Sequence, residues 1–139
     1  MSVKQIIVMR KDLKMRRGKE IAQGCHACMK VFMDLCKKEQ LHQLSNNEYI
    51  KSQYVFEYMK EDAWDKWLNG IFTKICVTVN SEQELVDIYE KAVKIGLPAA
   101  MIEDNGLTEF NGIKTKTCCA IGPAESDILH PITGHLSLY

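Results

Sequence analysis

Between residues 103 and 123 the chain reads EDNGLTEFNGIKTKTCCAIGP, setting Glu103, Asp104, Asn105, Thr108, Asn111, Thr115 and Thr117 between two apolar runs. A sheet favours β-branched and aromatic residues, so a cluster of small polar groups there marks a candidate site at the ends of two strands. The Asp104 carboxylate, the hydroxyls of Thr108 and Thr117 and the ammonium of Lys19 would form a set able to orient a water and steady a developing oxyanion. Each residue also has an ordinary use. Asp at a strand end forms turns, Thr suits strands by propensity, and Lys19 decorates a helix start.

Charge is the second chemical signal. The chain is neutral, but residues 1–38 hold ten Lys/Arg against three Asp/Glu, a net of +7, and residues 39–139 hold eight against fifteen, a net of −7. The densest run, RKDLKMRRGK (10–19), has six basic residues and one acidic. Such a run, opening into a helix whose first N–H groups are unpaired, suits a phosphate-rich partner, and it equally suits a solvated loop.

Other chemistries lack their signatures. Cys25-x-x-Cys28 falls on the apolar face of a predicted helix with no second pair at zinc spacing, and Cys118 and Cys119 point to opposite faces of a predicted strand. His26 is expected to be a helix-face histidine bonded to a neighbour. The chain has no G-x-S-x-G, H-E-x-x-H or P-loop. Aromatic residues from Tyr54 to Trp67 could stack on bases, but their spacing suits a core.

The elements that must position these groups follow from periodicity. KQIIVMR (4–10) predicts a strand, and apolar positions Ile21, Cys25, Cys28, Met29, Phe32, Leu35 and Cys36 predict an amphipathic helix from Gly18 to about Lys38. Residues 39–69 read as a loop followed by a short helix around EDAWDKWL. IFTKICVTV (71–79) predicts a strand. Ser81 with Glu84 forms a capping box before the stripe Leu85, Ile88, Tyr89 and Ala92, and Gly96 with Pro98 ends that helix. AAMIED (99–104) and TKTCCAIG (115–122) are strands joined through the turn signals Asn105-Gly106 and Asn111-Gly112. A short helix limited by Pro131 and the tail HLSLY complete the chain. Alternating strands and helices imply an α/β sandwich with a mixed, largely parallel sheet. With 139 residues, 46% of them hydrophobic, one domain is expected. The apolar runs fall far short of the ~20 residues of a membrane span, and no signal-peptide pattern opens the chain, so a cytoplasmic protein with reduced thiols is expected.

Three motifs carry a family resemblance. KDLKMRRGKEIAQGCHA (11–27) resembles the opening signature of the peptidyl-tRNA hydrolases of the class typical of archaea and eukaryotes, approximately D-L-K-M-x-x-G-K-x-A-A-Q-x-x-H-A. Asp104-Asn105-Gly106-Leu107-Thr108 and Thr117 through Ile121-Gly122-Pro123 match its D-A-G-x-T and T-x-x-x-I-G-P segments, and ITGHLSLY resembles its V-T-G-H-L-K-L-Y close. Only about 39–69 falls outside the resemblance, as a candidate insertion in a single domain spanning 1–139.

The resemblance implies an enzyme that cleaves the ester joining a peptide to the 3′ ribose of tRNA, with no metal or organic cofactor. It also implies a three-layer α/β/α domain with a four-stranded sheet, expected as a homodimer. Lys19 matches the family's essential lysine, Asp104 its aspartate, and Thr108 and Thr117 its threonines. Gln23 and His26 match supportive positions, and Arg10, Lys11, Lys14, Arg16 and Arg17 would contact tRNA phosphates. Three departures stand out. Asn105 replaces the usual alanine, and Arg16 stands where glycine is common, a poor fit to positive φ. The segment before Thr117 is one residue longer, which makes Thr115 its rival. Whether water or a threonine attacks is open, and the alternative reading is a tRNA- or protein-binding module of the same fold with little catalysis.

Overall fold

The computed structural model of the chain describes residues 2–42 and 49–139. Its first strand, β1 (Val3–Arg10), is apolar on both faces: Ile6 and Val8 enter one core while Ile7 and Met9 enter another. A strand covered on both sides needs a layer above and a layer below. These layers are α1 (Arg17–Met33) with α2 (Ala63–Leu68) on one face, and α3 (Glu82–Lys94) with α4 (Ser126–Thr133) on the other. The fold is the expected three-layer α/β/α arrangement.

The sheet is completed by β4 (Lys74–Val79), β5 (Ala99–Asp104) and β6 (Thr115–Glu125), in the order β4-β1-β6-β5. It is mixed, but only β1 and β4 run parallel; β6 is antiparallel to both of its neighbours. The departure from a largely parallel sheet comes from the link between β5 and β6, which carries a turn and no crossover helix, so the chain must return antiparallel. Cys118 and Cys119 face opposite cores, as strand alternation requires. At one edge the C-terminal tail covers β4: Thr78 N–H donates to the Ser137 carbonyl at 2.9 Å and Tyr139 N–H to that of Cys76 at 3.1 Å. The other edge is β5.

Local signals explain α3 well. The Ser81 hydroxyl accepts from Glu84 N–H at 3.1 Å, Leu85, Ile88 and Ala92 are buried, and Gly96 leaves the helix at φ 82°. In α1 a different stripe is buried from the one its apolar residues suggest. Gln23, Gly24, Ala27 and Val31 face the sheet, while Ile21 is 62% exposed and Met29 58%, Cys25 is exposed as well, and Leu35, past the end of the helix, is 52% exposed. Small residues win the inner face because they let the helix approach Ala100, Cys118 and Ala120 closely. The helix also stops at Met33, earlier than its periodicity suggests.

Beyond α1, the segment read as a loop contains a two-stranded hairpin, β2 (Lys37–His42) with β3 (Tyr49–Val55). Residues 43–48 of that polar stretch lie outside the described residues. The aromatic residues that follow pack in a row with Phe32 from α1. Ring centroids are 4.5 Å apart for Phe32–Phe56, 4.7 Å for Phe56–Trp64 and 5.9 Å for Trp64–Trp67. β4 starts later than the run from Ile71 because Phe72, at φ 63°, belongs to the turn after α2. Pro131 lies inside α4 instead of ending it. Among the described residues no helix is long and apolar enough to cross a membrane.

Candidate active site

Lys19 and Asp104, 85 positions apart, meet because α1 packs across β5 and β6 with its first turn over the carboxyl end of β5. Lys19 Nζ donates to Asp104 Oδ1 at 2.9 Å and to Thr108 Oγ1 at 3.0 Å. The two charged side chains are 14% and 15% exposed. Gln23, one turn along α1, adds a longer contact from Nε2 to the same carboxylate oxygen at 3.4 Å. The second oxygen, Oδ2, accepts the backbone N–H of Gly106 at 2.9 Å.

This setting holds the Asp104 carboxyl below the usual carboxylate range. The Lys19 hydrogen bond is the main cause, partial desolvation opposes it, and the Gly106 N–H reinforces it. Gly106 is required there: its φ is 77°, and a Cβ would come within 2.6 Å of the Ile113 carbonyl oxygen. The loop closes on itself through Gly112 N–H to the Gly106 carbonyl at 2.9 Å. The sequence marks this position only as a turn, with no sign that its N–H serves the carboxylate. Phe110 was also missed: its ring centre lies 5.9 Å from Lys19 Nζ.

The two candidate threonines have different places. Thr117 is fully buried and its hydroxyl donates to Gln23 Oε1, while the neighbouring Cys118 Sγ reaches the Gln23 carbonyl at 3.3 Å. Thr115 instead donates to the Ile113 carbonyl at 2.9 Å, outside the network around Lys19. Burial raises the Cys118 thiol to about 12 and raises Cys119 as well, so both are neutral packing groups at neutral pH.

The basic segment divides in two. Arg10 turns inward, 11% exposed, donating to both Asp12 carboxylate oxygens at 3.1 and 2.6 Å and to the Lys116 carbonyl at 3.1 Å. It braces the loop. Lys11, Lys14, Arg16 and Arg17 are exposed. Arg16 has φ −64°, so its side chain conflicts with no backbone strain, and it bonds Glu109 at 2.9 Å, tying the basic loop to the loop that follows Asp104. The positive φ of this loop falls at Lys14. His26 and Asn105 are exposed along a groove that also contains Gln23 and Asp104.

Comparison with known proteins gives this arrangement a context. Residues 3–139 match the family model described as "Peptidyl-tRNA hydrolase PTH2". A peptidyl-tRNA hydrolase of Methanocaldococcus jannaschii is 38% identical over 98% of this chain and 99% of its own length. One from Sulfurisphaera tokodaii is 35% identical, covering 99% of each chain, and one from Thermococcus onnurineus is 33% identical over 97% of this chain and 96% of its own. Among solved structures, a protein of unknown function from Agrobacterium tumefaciens aligns with a TM-score of 0.56 at 8% identity, covering 100% of this chain and 98% of that one, which bears on the fold alone. The chain belongs to the peptidyl-tRNA hydrolase family that the matching model describes.

Proposed function

We propose that Lys19 and Asp104 carry the reaction of this family, hydrolysis of the ester between a peptide and the 3′ end of tRNA. The observation that supports this most is the Lys19–Asp104 contact at 2.9 Å, held from three sides and placed beside an outward-facing cationic loop. Lys19 has three N–H donors, and Asp104 and Thr108 take two. Among the described residues no acceptor takes the third, which is left for the oxyanion that forms when the ester carbonyl is attacked. A carboxylate held below its ordinary range is a weak base, so Asp104 acts chiefly by fixing Lys19 and by accepting a hydrogen bond from water.

Water is the attacking group in this reading. Thr117 is buried and commits its proton to Gln23, and the Thr108 oxygen accepts from an ammonium, which lowers its nucleophilicity. Attack by water forms the new C–O bond and a tetrahedral oxyanion; collapse breaks the bond to the ribose 3′ oxygen, one proton of the attacking water ends on that oxygen as a hydroxyl, the other is released to solvent, and the peptide leaves as a carboxylate. Thr117 and Gln23 are positioning residues. Lys11, Lys14, Arg16 and Arg17 face the tRNA phosphates and give affinity without sequence preference.

Incubation of the purified chain with N-acetyl-aminoacyl-tRNA, with ester loss followed over time, tests the reading. We expect turnover, with log kcat/KM falling linearly with log salt at a slope of roughly −2 to −4 if three or four phosphates are neutralised. No ester loss above the spontaneous rate would refute it.

A homodimer and a cytoplasmic location, where translation takes place, belong to the same proposal. The stripe of α1 that the fold leaves uncovered, with Ile21 at 62% exposure, supports the dimer. Light scattering is expected to give twice the 15.9 kDa of one chain, and a single-chain mass at assay concentrations would contradict it.

A further inference from the structure

We infer that the peptide half of the substrate binds as an added strand along the open edge of β5, recognised through its main chain and so without regard to its sequence. The inference rests on the catalytic reading given above. Four observations carry it.

The edge is unpaired. β4 is covered by the C-terminal tail, whereas among the described residues no backbone group outside β6 bonds to β5. The register identifies the free groups. Gly122 N–H donates to the Pro98 carbonyl at 2.8 Å, so in an antiparallel ladder Ala100 and Ile102 form the next bonded pairs, with Ala120 and Cys118. The N–H and C=O of Ala99 and Met101 therefore point away from the sheet.

That edge forms one side of a groove of about 540 Å³ whose other wall is α1. Gln23 and Asp104 stand at one end of the groove, so it is continuous with the catalytic pair. Its apolar lining on α1 includes Met29 and Met33, unbranched side chains that adapt to different neighbours.

Along α1 the cations Arg16 and Arg17 precede Lys19, whereas the groove lining begins at Gln23 and runs on to Met33, so an anionic RNA on those cations lies beyond the other end of the catalytic pair. The neutral and variable half of the substrate is left the groove. A peptide needs a surface that reads what every peptide shares, and an open strand edge does this with backbone hydrogen bonds.

Direction follows from geometry. The ester carbonyl belongs to the peptide's last residue and sits at Asp104, the end of β5, so the peptide runs parallel to β5. At ~3.3 Å per residue, the strand from Asp104 back to Ala99 accommodates about five peptide residues. In a parallel ladder alternate residues of the added strand face the edge, so alternate peptide amides donate to it.

The test uses the unmodified protein and a set of substrates with one C-terminal amino acid: N-acetyl-aminoacyl-tRNA, then di- to hexapeptidyl-tRNA. We expect kcat/KM to rise about fivefold for each main-chain pair gained and to level off near five residues. A scan of single N-methyl groups along a pentapeptide should lower kcat/KM about fivefold at alternate amides and little at those between. A rate independent of length, or equal sensitivity at every amide, overturns the inference while cleavage of the N-acetyl substrate keeps the catalytic reading. Absence of cleavage on all substrates overturns both.

Discussion

Replacing Lys19 with alanine is expected to lower kcat about a thousandfold with little change in KM, because the lost interaction is one made mainly in the transition state. The ammonium reaches Asp104 at 2.9 Å and Thr108 at 3.0 Å, and no other cation among the described residues is placed to take over this position. Arg16, the cation tied to the loop that follows Asp104, is bonded to Glu109 at 2.9 Å. Single-turnover hydrolysis of N-acetyl-aminoacyl-tRNA measures the chemical step free of product release. A loss below tenfold would remove Lys19 from the catalytic role. Binding of tRNA by the variant should persist, since the exposed cations of the loop are untouched.

The second large effect belongs to Asp104. Asp104→Asn keeps the shape and the Gly106 N–H contact but loses the charge that fixes Lys19, and kcat is expected to fall about a hundredfold. The pH dependence separates this charge from others. Because the folded carboxyl lies below its ordinary value, the pair's contribution to stability is fully present above the unfolded value near ~3.9 and is lost as pH falls through the lower, folded value. Wild type and Asp104→Asn should therefore differ in melting temperature by a constant amount from pH 8 to pH 5, and the gap should close only below about pH 4. A gap that closes between pH 5 and 7 would show that Asp104 titrates there and acts as a tuned base.

What the sequence reveals about these residues depends on how local the determining contacts are. The helix α3 is fully legible because cap, stripe and stop lie within sixteen residues of one another, from Ser81 to Gly96. The Lys19–Asp104 pair is not local. Periodicity puts Lys19 at a helix start and Asp104 at a strand end, so a shared cleft across 85 positions is one expectation among ordinary uses of each residue, and the family motifs are what single it out. The buried face of α1 was misread for a physical reason: Gln23 and Gly24 carry no hydrophobic signal, yet Gln23 is buried because Thr117 and Asp104 satisfy its amide. The hairpin of β2 and β3 is not legible to periodicity because KKEQLH is polar at nearly every position and the apolar residues of YIKSQYV fall in adjacent pairs, Tyr49-Ile50 and Tyr54-Val55, instead of alternating. Strand alternation puts Thr115 and Thr117 on one face, so it cannot tell them apart; their different partners, Gln23 for Thr117 and the Ile113 carbonyl for Thr115, appear only in the folded chain.

The tail that seals β4 also governs how the molecule can self-associate. Propagation of a sheet from molecule to molecule needs two accessible borders, and here the chain's own last residues occupy one of them. Backbone pairing through β5 can join two copies edge to edge, and extending the four-stranded sheet to a third would require the border of β4 that Ser137 to Tyr139 occupy.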